Sequence, residues 1–84
     1  MDKDIEKLRR EINNVDQELV SLLAKRFQLT SQIGAIKREK GLDVFDKNRE
    51  QEILEKWLQV SDLEPEFLKN ILNLILSESK KRQS

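Results

Sequence analysis

The sequence predicts an all-α fold of three helices, the first very long, intertwined with a second copy of the chain in a homodimeric helical bundle. Three observations carry this expectation. One Pro and two Gly among 84 residues leave almost nothing to interrupt helices. Apolar residues recur at alternating spacings of three and four, at Ile5, Leu8, Ile12, Val15, Leu19, Leu22, Leu29, Ile33 and Ile36, which lays one apolar stripe along a helix. Charged residues make up 38% and hydrophobic ones 37% of the chain, a balance suited to a small bundle rich in surface.

The stripe places the first helix at about residues 4 to 40. Arg26 occupies the inward position between Leu19 and Ile33 and is the one fault in its register. Gly34 lies inside the pattern at a cost of about 1 kcal/mol, and Gly41 supplies the stop. At 1.5 Å per residue this helix is about 55 Å long, whereas a compact domain of this size has a radius of gyration near 12 Å and a diameter of about 30 Å. Residues 42 to 84 are too few to cover it, so a second copy must.

The connection GLDVFDKN carries turn formers and places Asp46 as the cap of a second helix, 47 to 60. That helix is expected to bury Ile53, Leu54, Trp57 and Leu58. The segment SDLEP closes it, and Pro65 suits the first turn of a third helix, 65 to 82, built on Leu68, Ile71, Leu72, Ile75 and Leu76. The tail KKRQS reads as a frayed end, Gln83 excepted. No repeat, low-complexity stretch or boundary divides the chain, so residues 1–84 read as a single domain.

Composition also excludes chemistry. With no Cys and no His, disulfides, thiolate metal sites, histidine triads and ordinary zinc sites are ruled out. Sixteen basic residues against sixteen acidic ones give no net basic charge, so a dedicated nucleic-acid binder is not expected. The opening MDKDIEKLRR has no apolar core of a signal peptide, and no window approaches eighteen consecutive apolar residues. A cytoplasmic protein without membrane or nucleic-acid partners is the expectation.

The informative residues are the polar ones on apolar faces, because a charge there costs several kcal/mol unless something compensates it. Lys37 follows Arg26 by eleven residues, so the two point within about 20° of each other and stand about 17 Å apart along the helix. Glu50 shares the face of Leu54. The stripe of the third helix, Leu68, Leu72 and Ile75, runs on into Ser79 and Gln83. Singly, each has a bland structural role: Arg26 as a register-fixing residue or a partner of Glu50 in a buried bridge, Asp46 as a cap, the others as solvated helix ends. Together, two cations, one acid and two neutral hydrogen-bonding groups on three inward faces outline a polar pocket for a small dianion.

The run LRREINNVDQELVSLLAKRFQLTSQIGAIKREKG, followed by DKNRE and later by LILSESKKRQ, resembles the all-helical (type II) chorismate mutases over essentially the whole chain. The spacings carry the resemblance: seventeen residues from Arg9 to Arg26, eleven to Lys37, nine to Asp46, then Arg49 and Glu50, with Ser79 and Gln83 four apart. It implies an intertwined dimer of three-helix chains and the rearrangement of chorismate to prephenate on the route to phenylalanine and tyrosine. This Claisen rearrangement breaks a C–O bond and forms a C–C bond within one molecule. It needs no proton transfer, nucleophile, metal or cofactor, which suits a chain without His or Cys.

By the same resemblance, Arg26 and Arg9 of a second chain bind the substrate carboxylates, and Lys37 and Gln83 donate hydrogen bonds to the ether oxygen. Glu50 accepts from the ring hydroxyl, helped by the backbone near Asp46, while Arg49 orients acids and Ser79 adds a carboxylate contact. Arg9 lies about 25 Å along the helix from Arg26 and about 100° round it, so it would serve the neighbour's pocket. An isochorismate-pyruvate lyase or an aminodeoxychorismate mutase shares such a basic pocket, but Asp46 and Glu50 together favour the mutase. A non-catalytic dimeric adaptor accounts for the heptads and not for the polar interruptions.

Overall fold

Three helices in chain order build the molecule: α1 over Lys3–Lys40, α2 over Lys47–Val60 and α3 over Pro65–Gln83. The computed structural model describes residues 2–43 and 46–83; Met1, Val44 and Phe45 of the expected turn, and Ser84 of the tail, lie outside the described residues. α1 begins where the Asp2 side chain accepts from the backbone N–H groups of Asp4 at 2.8 Å and Ile5 at 3.4 Å. It ends at Gly41, whose φ of 69° is the left-handed conformation that glycine adopts without strain, with Leu42 N–H donating to the Lys37 carbonyl at 2.7 Å. Acidic residues in its first turn and basic ones in its last complement the helix dipole.

α3 lies between the other two helices and packs on both, while α1 and α2 do not pack on each other. Its stripe of Leu68, Leu72 and Ile75 supplies the buried hydrophobic residues among those described, and the same stripe ends on buried Ser79. The second helix departs from expectation. None of its residues is fully buried: Ile53, Leu54 and Trp57 are half-buried and Leu58 is exposed, because only one flank of α2 meets α3. The tail also departs from expectation. α3 stays helical through Gln83, its last turn docked on α1, so residues 80–83 are not frayed.

α3 does not cover the heptad stripe of α1. The α1 residues that lose exposure include Leu23, Phe27, Thr30 and Gly34, a second row at spacings of four, three and four, with Arg26, Ser31 and Lys37 beside it. Ile5, Leu8, Ile12, Val15 and Leu19 remain 48% to 61% exposed, and Leu29, Ile33 and Ile36 remain exposed as well. The principal extents of 58 × 24 × 16 Å give a radius of gyration of 16.6 Å, against about 12 Å for a compact chain of this length. The surface of 7202 Å² likewise exceeds the roughly 5,200 Å² of a compact monomer of this mass. The exposed apolar residues of α1 contribute to that excess.

Candidate active site

The polar end of the α3 stripe faces the middle of α1 and the first turn of α2, and the three surfaces enclose a cleft. Arg26 stands at its base. Its Nη1 donates to Ser79 Oγ at 3.2 Å, and Ser79 is 3% exposed, so the hydroxyl fixes the guanidinium from the buried side. Burial, and then the nearby positive charge of Arg49, push the Arg26 guanidinium below its ordinary pKa. Two like charges share the cleft, and an anion bound between them would relieve both costs.

Lys37 lines the same cleft farther along α1, with Thr30 and Ile33 between it and Arg26. Asp46, Arg49 and Glu50 enter from the start of α2. Asp46 caps that helix, its carboxylate accepting from the Arg49 N–H at 3.1 Å, which orients the turn that carries Arg49 and Glu50. The Arg49 guanidinium lies 3.4 Å from Glu52 in an exposed pair, a weak hold that leaves it able to turn into the cleft. Ser79 and Gln83 enter from α3, and Ile33, Ile53 and Leu76 supply apolar wall.

Seven of the eight expected residues, Arg26, Lys37, Asp46, Arg49, Glu50, Ser79 and Gln83, therefore line one cleft. Arg9 does not. It is exposed on the amino-terminal part of α1, about 25 Å along the helix from Arg26.

The bridge considered between Arg26 and Glu50 is replaced by two separate contacts, Arg26 to Ser79 and Lys80 Nζ to Glu50 Oε1 at 3.0 Å. Lys80 lines the cleft and is absent from the sequence-based set, because a lysine inside the run KKRQS looks like solvated tail. Gly34 is the other omission. It is buried, and a Cβ built on it would lie 3.0 Å from the Cα, Cβ and Cγ atoms of Gln83. The signal was present: a glycine inside an unbroken helix pays in propensity, and a close helix approach explains why it is there.

Asp46 and Glu50 are the carboxylates of the cleft, Glu50 already engaged by Lys80, and no group of three or more His, Cys, Asp or Glu gathers as metal ligands would among the described residues. The donor set is one for an organic anion: guanidinium, ammonium, hydroxyl and amide around an apolar wall, with a carboxylate to accept from a hydroxyl.

The sequence pattern of chorismate mutase type II matches residues 8–84. The chain belongs to the chorismate mutase type II family. Among curated relatives, the T-protein of Haemophilus influenzae is 32% identical over 75 residues, 86% of this chain and 20% of that protein. A bifunctional chorismate mutase/prephenate dehydratase of Aquifex aeolicus is 37% identical over 59 residues, 70% of this chain and 16% of that protein. The chain thus spans a fifth or less of the curated relatives it matches. Among solved structures, a chorismate mutase from Thermus thermophilus superposes with a TM-score of 0.90 at 28% identity, covering 96% of this chain and 94% of that one. A conserved hypothetical protein from Pyrococcus furiosus superposes at 0.84 with 32% identity, covering 100% of both chains. The two structural likenesses extend over nearly the whole chain.

Proposed function

We propose that this chain is a chorismate mutase that converts chorismate to prephenate by an intramolecular Claisen rearrangement, in the biosynthesis of phenylalanine and tyrosine. The observation that carries the reading is the convergence of Arg26, Lys37, Asp46, Arg49, Glu50, Ser79 and Gln83 from three helices on one cleft. In this reading residues 1–84 act as one mutase domain, cytoplasmic and without a cofactor. Among the described residues no helix is long and apolar enough to cross a membrane.

The reaction sets modest chemical demands. Because no proton is transferred, the protein needs only to hold a folded, reactive conformer and to place charge where charge develops. Arg26 pairs with one substrate carboxylate, a contact suited to a guanidinium, with Ser79 and Arg49 beside it. Lys37 and Gln83 donate to the ether oxygen, which gains negative charge as its bond to carbon lengthens. Glu50 accepts from the ring hydroxyl, its carboxylate steadied by Lys80 and by the capped turn at Asp46.

The second carboxylate needs another cation, which Arg9 of a second copy supplies. The open heptad stripe of α1 and the excess of roughly 2,000 Å² of surface over a compact monomer support a dimer, since obligate interfaces are of this size and apolar. The mutual covering of two α1 helices brings the amino-terminal half of one beside the cleft of the other.

Incubation of the purified protein with chorismate, followed by loss of its ultraviolet absorbance and identification of the product, tests the reading. Prephenate is expected. Release of pyruvate would make the protein a lyase on the same fold, and absence of turnover would make it a structural adaptor.

A further inference from the structure

The last turn of α3 carries Gln83 into the cleft, and three contacts with α1 fix where that turn sits. Gly34 lets it come close: a Cβ there would stand 3.0 Å from Gln83 Cα, Cβ and Cγ, inside ordinary carbon contact of about 3.5–4.0 Å. The Arg38 guanidinium donates from Nη1 to the Gln83 backbone carbonyl, one of the carbonyls a helix end leaves without a partner inside the helix. The Arg82 guanidinium lies 4.7 Å above the Phe27 ring, tying the neighbouring residue to the same face of α1.

Gly34 and Arg38 are one helical turn apart, so they grip Gln83 from a single face. Gly34 meets its Cα, Cβ and Cγ, and Arg38 holds its carbonyl. We propose that Gly34 and Arg38 are positioning residues that set the reach of the Gln83 amide into the cleft. The inference rests on the reading of Gln83 as a donor to the substrate. Hydrogen bonds weaken steeply with distance and angle, and preorganised donors act only where charge develops, so a displacement of the turn by a few tenths of an ångström reaches the chemistry.

The consequence runs against helix propensity. Ala is the better helix former, so Gly34→Ala supports α1 locally and yet forces the Gln83 turn outward. Arg38 is exposed, so Arg38→Met removes the grip on the carbonyl without opening a core.

The test measures kcat, KM for chorismate and thermal melting for Gly34→Ala, Arg38→Met and Gln83→Ala, and for each of the first two combined with Gln83→Ala. Gly34→Ala and Arg38→Met should each lower kcat about tenfold, with KM nearly unchanged and melting preserved. In the Gln83→Ala background neither should cost anything further, because the amide they position is gone. A merely structural role would produce losses that persist in that background, and this result would overturn the inference. Full activity in both single variants, with Gln83→Ala impaired, would overturn it too while leaving the donor role of Gln83 standing. Full activity in Gln83→Ala would overturn the donor role and the inference together.

Discussion

Lys80 Nζ lies 3.0 Å from Glu50 Oε1, joining α3 to α2 at the rim of the cleft. α2 packs on α3 and not on α1, so the placement of Glu50 relative to Arg26 and Lys37 is relayed through α3. The side chains are 39% and 30% exposed, and a pair this open contributes under about 1 kcal/mol to stability. Its importance lies in where it holds the carboxylate.

Lys80→Ala should therefore leave melting almost unchanged and lower kcat/KM by about five- to tenfold, with Lys80→Arg retaining most of the activity. Steady-state kinetics on the two variants read this directly. Equal losses in both would mean that an ammonium, not merely a cation, is needed there.

Lys37→Ala should reduce kcat on the order of 100-fold or more while the fold survives, the usual cost of removing one preorganised donor at developing charge. Lys37 lines the cleft from α1, and circular dichroism alongside kinetics separates lost chemistry from lost structure. A variant with near-normal kcat would remove Lys37 from the mechanism.

Activity should be nearly level from about pH 6 to pH 9, between ordinary carboxylate and lysine ionisation. The chain has no histidine, and the Gln83 amide donates without a proton to lose. The pKa of Arg26 is pushed down by burial and then by Arg49, so the unfolded chain holds that proton more tightly than the folded one. Stability then rises as pH climbs through the folded value toward the ordinary arginine range. A pH–rate profile that falls sharply above pH 6 would show a carboxylic acid working in its protonated form.

The length of α1, its cap at Gly41 and the stripe of α3 are legible in the sequence because periodicity and turn residues are local signals. Arg26, Glu50 and Ser79 are legible because a polar residue on an apolar face stands out against its neighbours. What escapes a one-dimensional reading is which face of α1 meets α3. The heptad stripe is the more hydrophobic face, yet α3 packs on the row of Leu23, Phe27, Thr30 and Gly34, where Gly34 allows the close approach of Gln83. The same choice of face turns Gly34 from a local weakness into a contact surface and the tail from frayed residues into the wall that carries Lys80 and Gln83. The partial burial of α2 is hidden for a like reason: its amphipathic pattern does not say how many neighbours share it.

The central proposal is that Arg9 of a second chain completes the cleft, and complementation tests it most directly. Arg9→Ala and Arg26→Ala homodimers should each be nearly inactive, since every cleft in either lacks one carboxylate-binding guanidinium. When equal amounts are refolded together, the mixed dimer has one intact cleft, in which Arg26 of the Arg9→Ala chain meets Arg9 of its partner. Random pairing makes about half of the dimers mixed, with one of two clefts intact in each, so about a quarter of wild-type activity should return. If mixed dimers form and the mixture stays as inactive as its parents, Arg9 and Arg26 do not meet across the interface and the two-chain site is contradicted.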